Sequence, residues 1–276
     1  MEPDEVADAI GVVLVGRLPH GANVGAYAVR TADGGDAVLK VGVDDAGESP
    51  LVAALRARGY PIPAVLSSGS AGGIAYELVE LVDGAPMDQP TFGQLPAVER
   101  LIACQRDLGL GSGDWVEHMV ASITDGCDGY CEHAAMRAYS DETRALLDRL
   151  QQTAGERNDI DVPTDGAVHY DFSPYNVLVR GDDVAGVVDW DGARLGDSSF
   201  DLVTLAFYTY DYAVRDALLE TAGAQTSPGA PELYAAHLVL RQVDWSVRHD
   251  PSSIEWFMGI GDALLGSTAQ IRRAGA

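Results

Sequence analysis

The chain has 276 residues, 47% of them hydrophobic, and its 42 acidic side chains against 18 Lys and Arg leave a formal net charge of −24. This apolar content is enough for a folded core, and the length predicts one large domain or two linked lobes. The acidity argues against a nucleic-acid-binding protein, because contact with phosphate backbones needs a basic face. It favours a cationic partner, although an acidic surface also serves solubility alone.

The sequence shows no sign of a membrane or secreted protein. No window approaches the roughly 18 uninterrupted apolar residues that a membrane helix needs. The first five residues, Met-Glu-Pro-Asp-Glu, are acidic where a secretory signal is basic. The three cysteines are odd in number, which argues against a disulfide framework. We therefore expect a cytoplasmic protein that binds neither membrane nor nucleic acid, and nothing in the sequence points to an obligate protein partner.

The N-terminal part of the chain predicts a small β-rich lobe. Its apolar runs and turn residues predict strands at 12–15, 26–30 and 37–43, a helix at 48–58 that ends at Gly59, and a strand at 75–81. The turn that follows, at 82–86, contains Gly and Pro. We therefore expect an N-terminal lobe at 1–81 and a second lobe at 82–276.

Lys40 is the only lysine in the chain, and it lies inside the predicted strand at 37–43. A lysine inside an apolar strand needs a phosphate or a carboxylate as its partner. Arginine does not replace lysine in such a site, because a planar fork and a compact ammonium have different geometry. The alternative explanation is a coding bias against lysine that left one lysine by chance. The position of Lys40 in the strand favours a functional lysine.

The rest of the chain predicts a larger, mainly helical lobe. The pattern turns helical from about residue 96, with a helix at 143–153, short strands at 168–191 and helices from 199 to the end. The predicted fold class is α+β, with a small β-rich N-terminal lobe and a larger helical C-terminal lobe.

The segment 168–191 combines a predicted hairpin with oxygen-bearing side chains. Apolar runs flank a turn at Gly181–Asp182, so the hairpin returns its end close to its start. Asn176 at the beginning and Asp189 at the end are then neighbours, and Asp171 lies in the loop just before them. Such a group of oxygen ligands suits a hard divalent cation that also binds phosphate oxygens.

Taken together, these motifs resemble the aminoglycoside phosphotransferase and choline kinase branch of the protein-kinase-like superfamily. The run His169–Asn176 is similar to the branch pattern His-Gly-Asp-x-x-Pro-x-Asn, Val188–Asp191 to Ile-Asp-Trp-Glu/Asp, and Gly196–Leu202 to Gly-Asp-Pro-x-x-Asp-Leu. Lys40 falls where the phosphate-binding lysine of this fold belongs, so the resemblance covers most of the chain. It implies a two-lobed kinase-like fold that uses ATP, or GTP in its place, and Mg²⁺.

The resemblance implies a role for each matching residue. Asp171 would take the proton of the acceptor hydroxyl, and Asn176 and Asp189 would hold Mg²⁺. The implied nucleotide-binding residues are Lys40 with its partner Glu48, the phosphate loop from Gly21 to Gly25, and the hinge from Glu80 to Val82.

Two other motif residues are expected to support the loop rather than to react, since Asp201 would brace it and His169 would orient it. The sequence departs from protein kinases at Ser173, where they have a lysine, and at Trp190–Asp191, where they have Phe-Gly. These departures argue against a protein substrate. Tyr175 replaces a small residue of the branch and leaves the shape of the acceptor site open.

Acidic and aromatic residues in the second lobe indicate the acceptor. Carboxylates beside Trp and Tyr rings suit ammonium groups, through ion pairs and cation–π contacts. The candidate substrate ligands are Asp114, Asp191, Asp211, Asp244 and Glu255. They favour a polycationic, hydroxyl-bearing antibiotic, either an aminoglycoside or a cyclic peptide of the tuberactinomycin type. The segments 187–193 and 241–248 resemble the viomycin and capreomycin phosphotransferases more closely than the aminoglycoside phosphotransferases.

Other interpretations stay open. The protein could be a kinase of a small metabolite such as choline, homoserine or a sugar-like compound. It could be a nucleotide-binding pseudokinase, although every catalytic position is filled. Cys127, Cys131 and His133 could hold zinc, but a second ligand pair of the usual spacing is missing. The acidity could also mark a salt-adapted protein.

Overall fold

The structure is a computed structural model that describes residues 3–18, 25–43, 49–127 and 130–275. It divides into two compact units. The first consists of Met1–Asp88 with Tyr175–Val188, and the second of Gln89–Pro174 with Asp189–Ala276. The predicted lobe boundary between residues 81 and 82 stays a prediction.

The first stretch of the chain alternates short helices with strands. Its elements are α1 (Pro3–Ile10), β1 (Val13–Arg17), β2 (Gly25–Arg30), β3 (Asp36–Val41), α2 (Pro50–Ala57), β4 (Val65–Ala71), β5 (Ile74–Glu80) and β6 (Ala85–Pro86). Ser49 begins α2, because its hydroxyl accepts a hydrogen bond from the Val52 amide and Pro50 occupies the first turn. Gly59, with a φ of 79°, follows the helix as predicted.

The second stretch is mainly helical. Its elements are α3 (Leu95–Gln105), α4 (Trp115–Thr124), α5 (His133–Tyr139), α6 (Asp141–Gly155), β7 (Gly166–Val168), β8 (Val177–Arg180), β9 (Asp183–Val187), β10 (Arg194–Gly196), α7 (Ser199–Phe207), α8 (Tyr212–Gly223), α9 (Ala230–His249) and α10 (Ile254–Gly275). Short 3-10 helices lie at Pro174–Asn176 and Pro251–Ser253. The predicted fold class, β-rich and then helical, is confirmed.

The first unit is built on a five-stranded antiparallel sheet with the order β1-β2-β3-β5-β4. One face of this sheet buries Ala37, Leu39 and Leu78 against Val6 and Ala7 of α1. Because side chains alternate along a strand, Lys40 of β3 lies on the opposite face. The strands β1, β2, β3 and β5 were predicted, whereas α1 and β4 were not.

The predicted hairpin is confirmed in the first unit. The strands β8 and β9 pair from Val177↔Val187 to Arg180↔Asp183, and β6 adds a third strand beside β8. Gly181, with a φ of 64°, occupies the turn, where a left-handed backbone favours glycine.

The second unit packs its helices around α9, whose first half is buried on all sides. Trp115, Phe200 and Tyr234 are fully buried there, with edge-to-face ring contacts at centroid distances of 5.2–6.0 Å. The short strands β7 and β10 pair beside this core. In the described ranges, no helix has both the length and the apolar character needed to cross a bilayer.

Candidate active site

The loop that follows β7 carries the predicted catalytic residue, Asp171. His169 begins the loop and is fully buried, with its ring packed edge-on against Trp190 at a centroid distance of 4.5 Å. The amide of Asp171 donates a hydrogen bond to Nδ1 of His169, at 3.3 Å. A nitrogen that accepts a hydrogen bond carries no proton, so His169 is held in one tautomer. It orients the loop, as predicted.

Asp201 braces this loop from α7, and its predicted role is confirmed. One carboxylate oxygen accepts hydrogen bonds from the His169 amide at 2.8 Å and from Nε2 of Gln105 at 2.6 Å. The other oxygen accepts one from the Tyr170 amide at 3.2 Å. Burial raises the pKa of Asp201 to about 7, against the lowering effect of these three donors.

We expect Asp201→Ala to destabilise the protein by about 3 kcal/mol or more, because it removes one acceptor from the buried His169 amide, the buried Gln105 side chain and the part-buried Tyr170 amide. Urea-induced unfolding measures the change. Thr204→Val on the same helix is the control, since the Thr204 hydroxyl donates only to the Phe200 carbonyl of its own helix. Its cost should be about 1 kcal/mol. Equal losses in the two variants would contradict the bracing role.

Tyr170, next to the catalytic position, has a left-handed backbone with a φ of 73°. This conformation is strained for a residue with a side chain, by about 1–2 kcal/mol. The Tyr170 side chain is correspondingly well held, since its ring stacks on Phe200 at a centroid distance of 5.5 Å. Its hydroxyl contacts Nε2 of His237 at 2.9 Å and Nε2 of His118 at 3.1 Å. Burial lowers the pKa of both histidines, to about 4 for His118, so both are neutral at pH 7.

Arg241 of α9 is a site residue that sequence reasoning missed. Its guanidinium donates to the Tyr170 carbonyl at 2.8 Å and to Oδ1 of Asp171 at 3.2 Å. Burial lowers the pKa of Arg241, but Asp171, Tyr208 and Tyr170 together raise it above its ordinary value. The available signal was an arginine inside the apolar run Leu238–Val243, because a charge in a buried helix needs a partner.

The hairpin brings Asn176 level with the residue before Asp189. The Val188 amide donates to the Asn176 carbonyl at 3.0 Å, one step beyond the Val177↔Val187 pair. Asp189 follows directly and has a left-handed backbone with a φ of 68°. An amide oxygen and a carboxylate are the hard donors that magnesium takes.

Within the described residues, no three His, Cys, Asp or Glu side chains form a metal-binding group. A magnesium ion held by Asn176 and Asp189 would therefore complete its shell from water and nucleotide phosphates, which is how Mg²⁺ is commonly bound. By the chemistry of their side chains, an amide oxygen and a carboxylate, Asn176 and Asp189 fit that ion. Cys127, Cys131 and His133 are all described and form no such group, which argues against the zinc interpretation.

The predicted nucleotide residues of the first unit lie along β2, β3 and β5. Lys40 lies directly opposite Ala26, the neighbour of Gly25, and on its other side opposite Glu77. Side chains directly opposite in an antiparallel pair share a face, about 5 Å apart at Cβ. Glu77 is thus a carboxylate beside Lys40 that sequence reasoning missed. The predicted partner Glu48 and the loop residue Gly21 lie outside the described residues.

The predicted hinge lies at the end of β5. The Glu80 amide donates to the Ala64 carbonyl at 2.9 Å, and the Glu80 carboxylate accepts from the Ala64 amide at 3.3 Å. The carbonyl of Val82 accepts from the Gly84 amide at 3.0 Å. These bonds fix the backbone on both sides of Leu81.

Two of the predicted substrate ligands have partners inside the second unit. Asp244 is fully buried and accepts a hydrogen bond from Nη2 of Arg248 at 2.8 Å. Asp114 is exposed and pairs with Arg194 at 3.2 Å. Internal pairing neutralises charge that a cationic ligand would otherwise meet. Asp191 is exposed.

The other two predicted ligands, Asp211 and Glu255, flank a pair of half-exposed aromatic rings. Tyr210 and Trp256 meet at a ring-centroid distance of 5.6 Å, and we call Tyr210, Asp211, Glu255 and Trp256 the aromatic–acidic patch. Asp211 also caps α8 by accepting from two of its amides. Gln89 holds the loop before α8, because its side-chain oxygen accepts a hydrogen bond from the Tyr210 amide at 2.7 Å.

Comparison with known proteins gives the family. The phosphotransferase enzyme family model matches residues 15–237. No curated protein matches the chain. Among solved structures, a thermostable variant of aminoglycoside phosphotransferase APH(4)-Ia, in a ternary complex with ADP and hygromycin B, has 20% identity and a TM-score of 0.71 over 95% of this chain and 97% of that one.

Two further structures show the same fold at lower identity. An aminoglycoside phosphotransferase from Alicyclobacillus acidocaldarius has 15% identity and a TM-score of 0.61, covering 99% of this chain and 96% of its own. The choline kinase LicA from Streptococcus pneumoniae has 11% identity and a TM-score of 0.62, covering 97% of each chain. These likenesses confirm the predicted protein-kinase-like fold. Since the family match spans well over half of its length, the chain belongs to the phosphotransferase enzyme family.

Proposed function

We propose that this enzyme transfers the γ-phosphate of ATP to a hydroxyl group of a cationic antibiotic, an aminoglycoside or a tuberactinomycin-type peptide, and so confers resistance in the cytoplasm. The observation that carries the proposal is the geometry of Asp171. Its side chain is 50% exposed, on a loop that Asp201 and Arg241 hold by hydrogen bonds. A reachable carboxylate on a fixed loop is what a hydroxyl acceptor requires.

Asp171 orients the acceptor hydroxyl and accepts its proton as the phosphoryl group moves. The acceptor oxygen forms the new bond to the γ-phosphorus, the bond from the γ-phosphorus to the β–γ bridging oxygen breaks, and ADP leaves. Because the transferring group is loosely bonded in the transition state, positioning and charge neutralisation provide most of the catalysis.

The nucleotide is assigned to the face of the sheet that carries Lys40. Val38 and Val79 are paired on that face beside Lys40 and Glu77, and small apolar side chains suit a purine. Lys40 binds the α- and β-phosphates, and backbone groups of Glu80 and Val82 hold the base. Bound Mg²⁺, held by Asn176 and Asp189, would neutralise phosphate charge.

The aromatic–acidic patch and the net charge of −24 support a cationic acceptor. An ammonium group beside exposed Tyr and Trp rings gains a cation–π contact, and the adjacent carboxylates add ion pairs. The loop that carries Tyr210 is connected to the catalytic loop through α9, because Gln242 accepts a hydrogen bond from Tyr208 and the neighbouring Arg241 contacts Asp171.

A small-metabolite kinase is the second candidate, and one observation favours it. Asp244 and Asp114 are paired with arginines, which leaves fewer carboxylates for a polycation than the sequence suggests. A single ammonium group, as in choline, would need only one acidic–aromatic site.

A screen for ADP release separates these candidates. The purified protein is given ATP and Mg²⁺ with aminoglycosides, tuberactinomycins, macrolides, choline and homoserine in turn. Release with an aminoglycoside or a tuberactinomycin supports the proposal, and release only with choline or homoserine replaces it by the second candidate. Nucleotide binding without release for any acceptor would indicate a pseudokinase.

A further inference from the structure

Arg241 provides the cation that the catalytic loop itself lacks. The residues that follow Asp171 are Phe-Ser-Pro-Tyr-Asn, with no basic side chain among them. Arg241 is 70 positions away in sequence, and its side chain is 18% exposed. We propose that Arg241 is a positioning residue for Asp171 that sets the orientation of the carboxylate for proton acceptance. This inference rests on the proposed function, because Asp171 controls turnover only if the protein transfers phosphate to a hydroxyl group.

The guanidinium contacts two separate parts of the loop. Nη1 donates to the backbone carbonyl of Tyr170, and Nη2 donates to Oδ1 of Asp171. The planar guanidinium therefore fixes the orientation of the Asp171 carboxylate relative to the backbone carbonyl of Tyr170. A lysine ammonium has the charge but lacks this fixed pair of donors. The contact to Oδ1 leaves Asp171 half-exposed, so a hydroxyl from solvent still reaches it.

The fork is itself held in place. Its central carbon lies 5.1 Å from the centroid of the Tyr170 ring, within the range of a cation–π contact. That ring is fixed by Phe200 and His237, the latter on the same helix as Arg241. Arg241, Tyr170 and Asp171 thus form one connected unit, and the strained backbone of Tyr170 is maintained by contacts on both its carbonyl and its ring.

The proposal predicts a loss confined to turnover. Arg241→Gln should lower kcat by about 10²-fold, the size of effect that a misplaced catalytic group produces, while the KM for ATP changes by less than about twofold. Arg241→Lys should restore part of kcat, since it keeps the charge. In an Asp171→Asn background, Arg241→Gln should cost little more, because a residue that acts through Asp171 has no further effect once that carboxylate is gone.

Arg157→Gln is the matched control. Arg157 is equally buried, at 15% exposure, and its Nη2 pairs with Glu232 near the start of α9, at 2.5 Å. This variant should lower Tm without changing kcat at a temperature where it is folded. Thermal unfolding of all variants identifies any that have failed to fold.

The outcomes separate this inference from the proposed function. Wild-type protein that modifies no acceptor refutes the proposed function itself. Wild-type turnover that survives Arg241→Gln within about threefold overturns the positioning role. So would a higher KM for ATP at unchanged kcat, a Lys variant no better than the Gln variant, or a full additional loss in the double variant.

Discussion

Replacing Asp171 by asparagine is expected to lower kcat by about 10²–10⁴-fold, the range that general-base catalysis contributes. Asparagine has nearly the same shape and keeps an oxygen that accepts from Arg241, but it cannot take the proton of the acceptor hydroxyl. Nucleotide affinity should change by less than about twofold, because the mechanism assigns Asp171 no contact with ATP. Steady-state kinetics with an acceptor found in the screen, and calorimetric titration with ADP, measure the two quantities.

Asp148→Asn is the control for this variant. Asp148 lies on α6, where it is exposed and pairs with Arg137 at 3.4 Å, away from the catalytic loop. The Asp148→Asn substitution removes one carboxylate from the same unit and should leave kcat unchanged. If Asp171→Asn retained more than a tenth of wild-type turnover while the control behaved as expected, Asp171 would lose its assigned role.

Lys40→Arg is expected to lower kcat/KM for ATP on the order of 10²-fold, as the loss of one electrostatic contact to a reacting group does. The charge stays the same, so the loss comes from geometry. A planar guanidinium on a longer side chain does not place its charge where the compact ammonium of Lys40 does. The strand register places Lys40 between Ala26 on one side and the Glu77 carboxylate on the other.

Arg30→Lys tests whether an exchange between arginine and lysine in this sheet has a general effect. Arg30 lies on β2, exposed, and pairs with Asp36 at 3.0 Å. An exposed ion pair contributes about 0–1 kcal/mol, so this variant should match wild type in both stability and kcat/KM. A Lys40→Arg enzyme as active as the Arg30→Lys enzyme would show that any cation suffices at position 40.

Local patterns predicted the parts of the fold that depend on neighbouring residues. The hairpin of β8 and β9 follows from two apolar runs around Gly181, and α2 from its apolar spacing and from Gly59 at its end. The helix α1 was not predicted, although it has eight residues like α2 and its Val6 and Ile10 lie at the helical i, i+4 spacing. The strand β4 was missed because Ser and Gly dominate it, and its partner β5 stabilises it by pairing.

The residues of the candidate site divide in the same way, into those proposed from local spacing and those whose contacts form only on folding. The motif residues Asp171, Asn176 and Asp189 lie within one short segment, and Asp201 follows in a recognisable pattern, so spacing alone was enough to propose them. Arg241 comes from another helix, and its contact with Asp171 arises only when α9 packs beside the loop. The pairing of Asp244 with Arg248 was equally hidden, because composition alone does not distinguish a buried ion pair from an exposed ligand.

The most direct test of the central claim is to identify the product formed from ATP, Mg²⁺ and the acceptor that releases most ADP. Mass spectrometry and phosphorus NMR of the purified acceptor locate the transferred group. We predict a single phosphate ester on a hydroxyl oxygen of a cationic antibiotic, formed by the wild type and the Asp148→Asn control and not by Asp171→Asn. Phosphate on an amine nitrogen, release of inorganic phosphate with an unmodified acceptor, or equal product from Asp171→Asn would contradict the account.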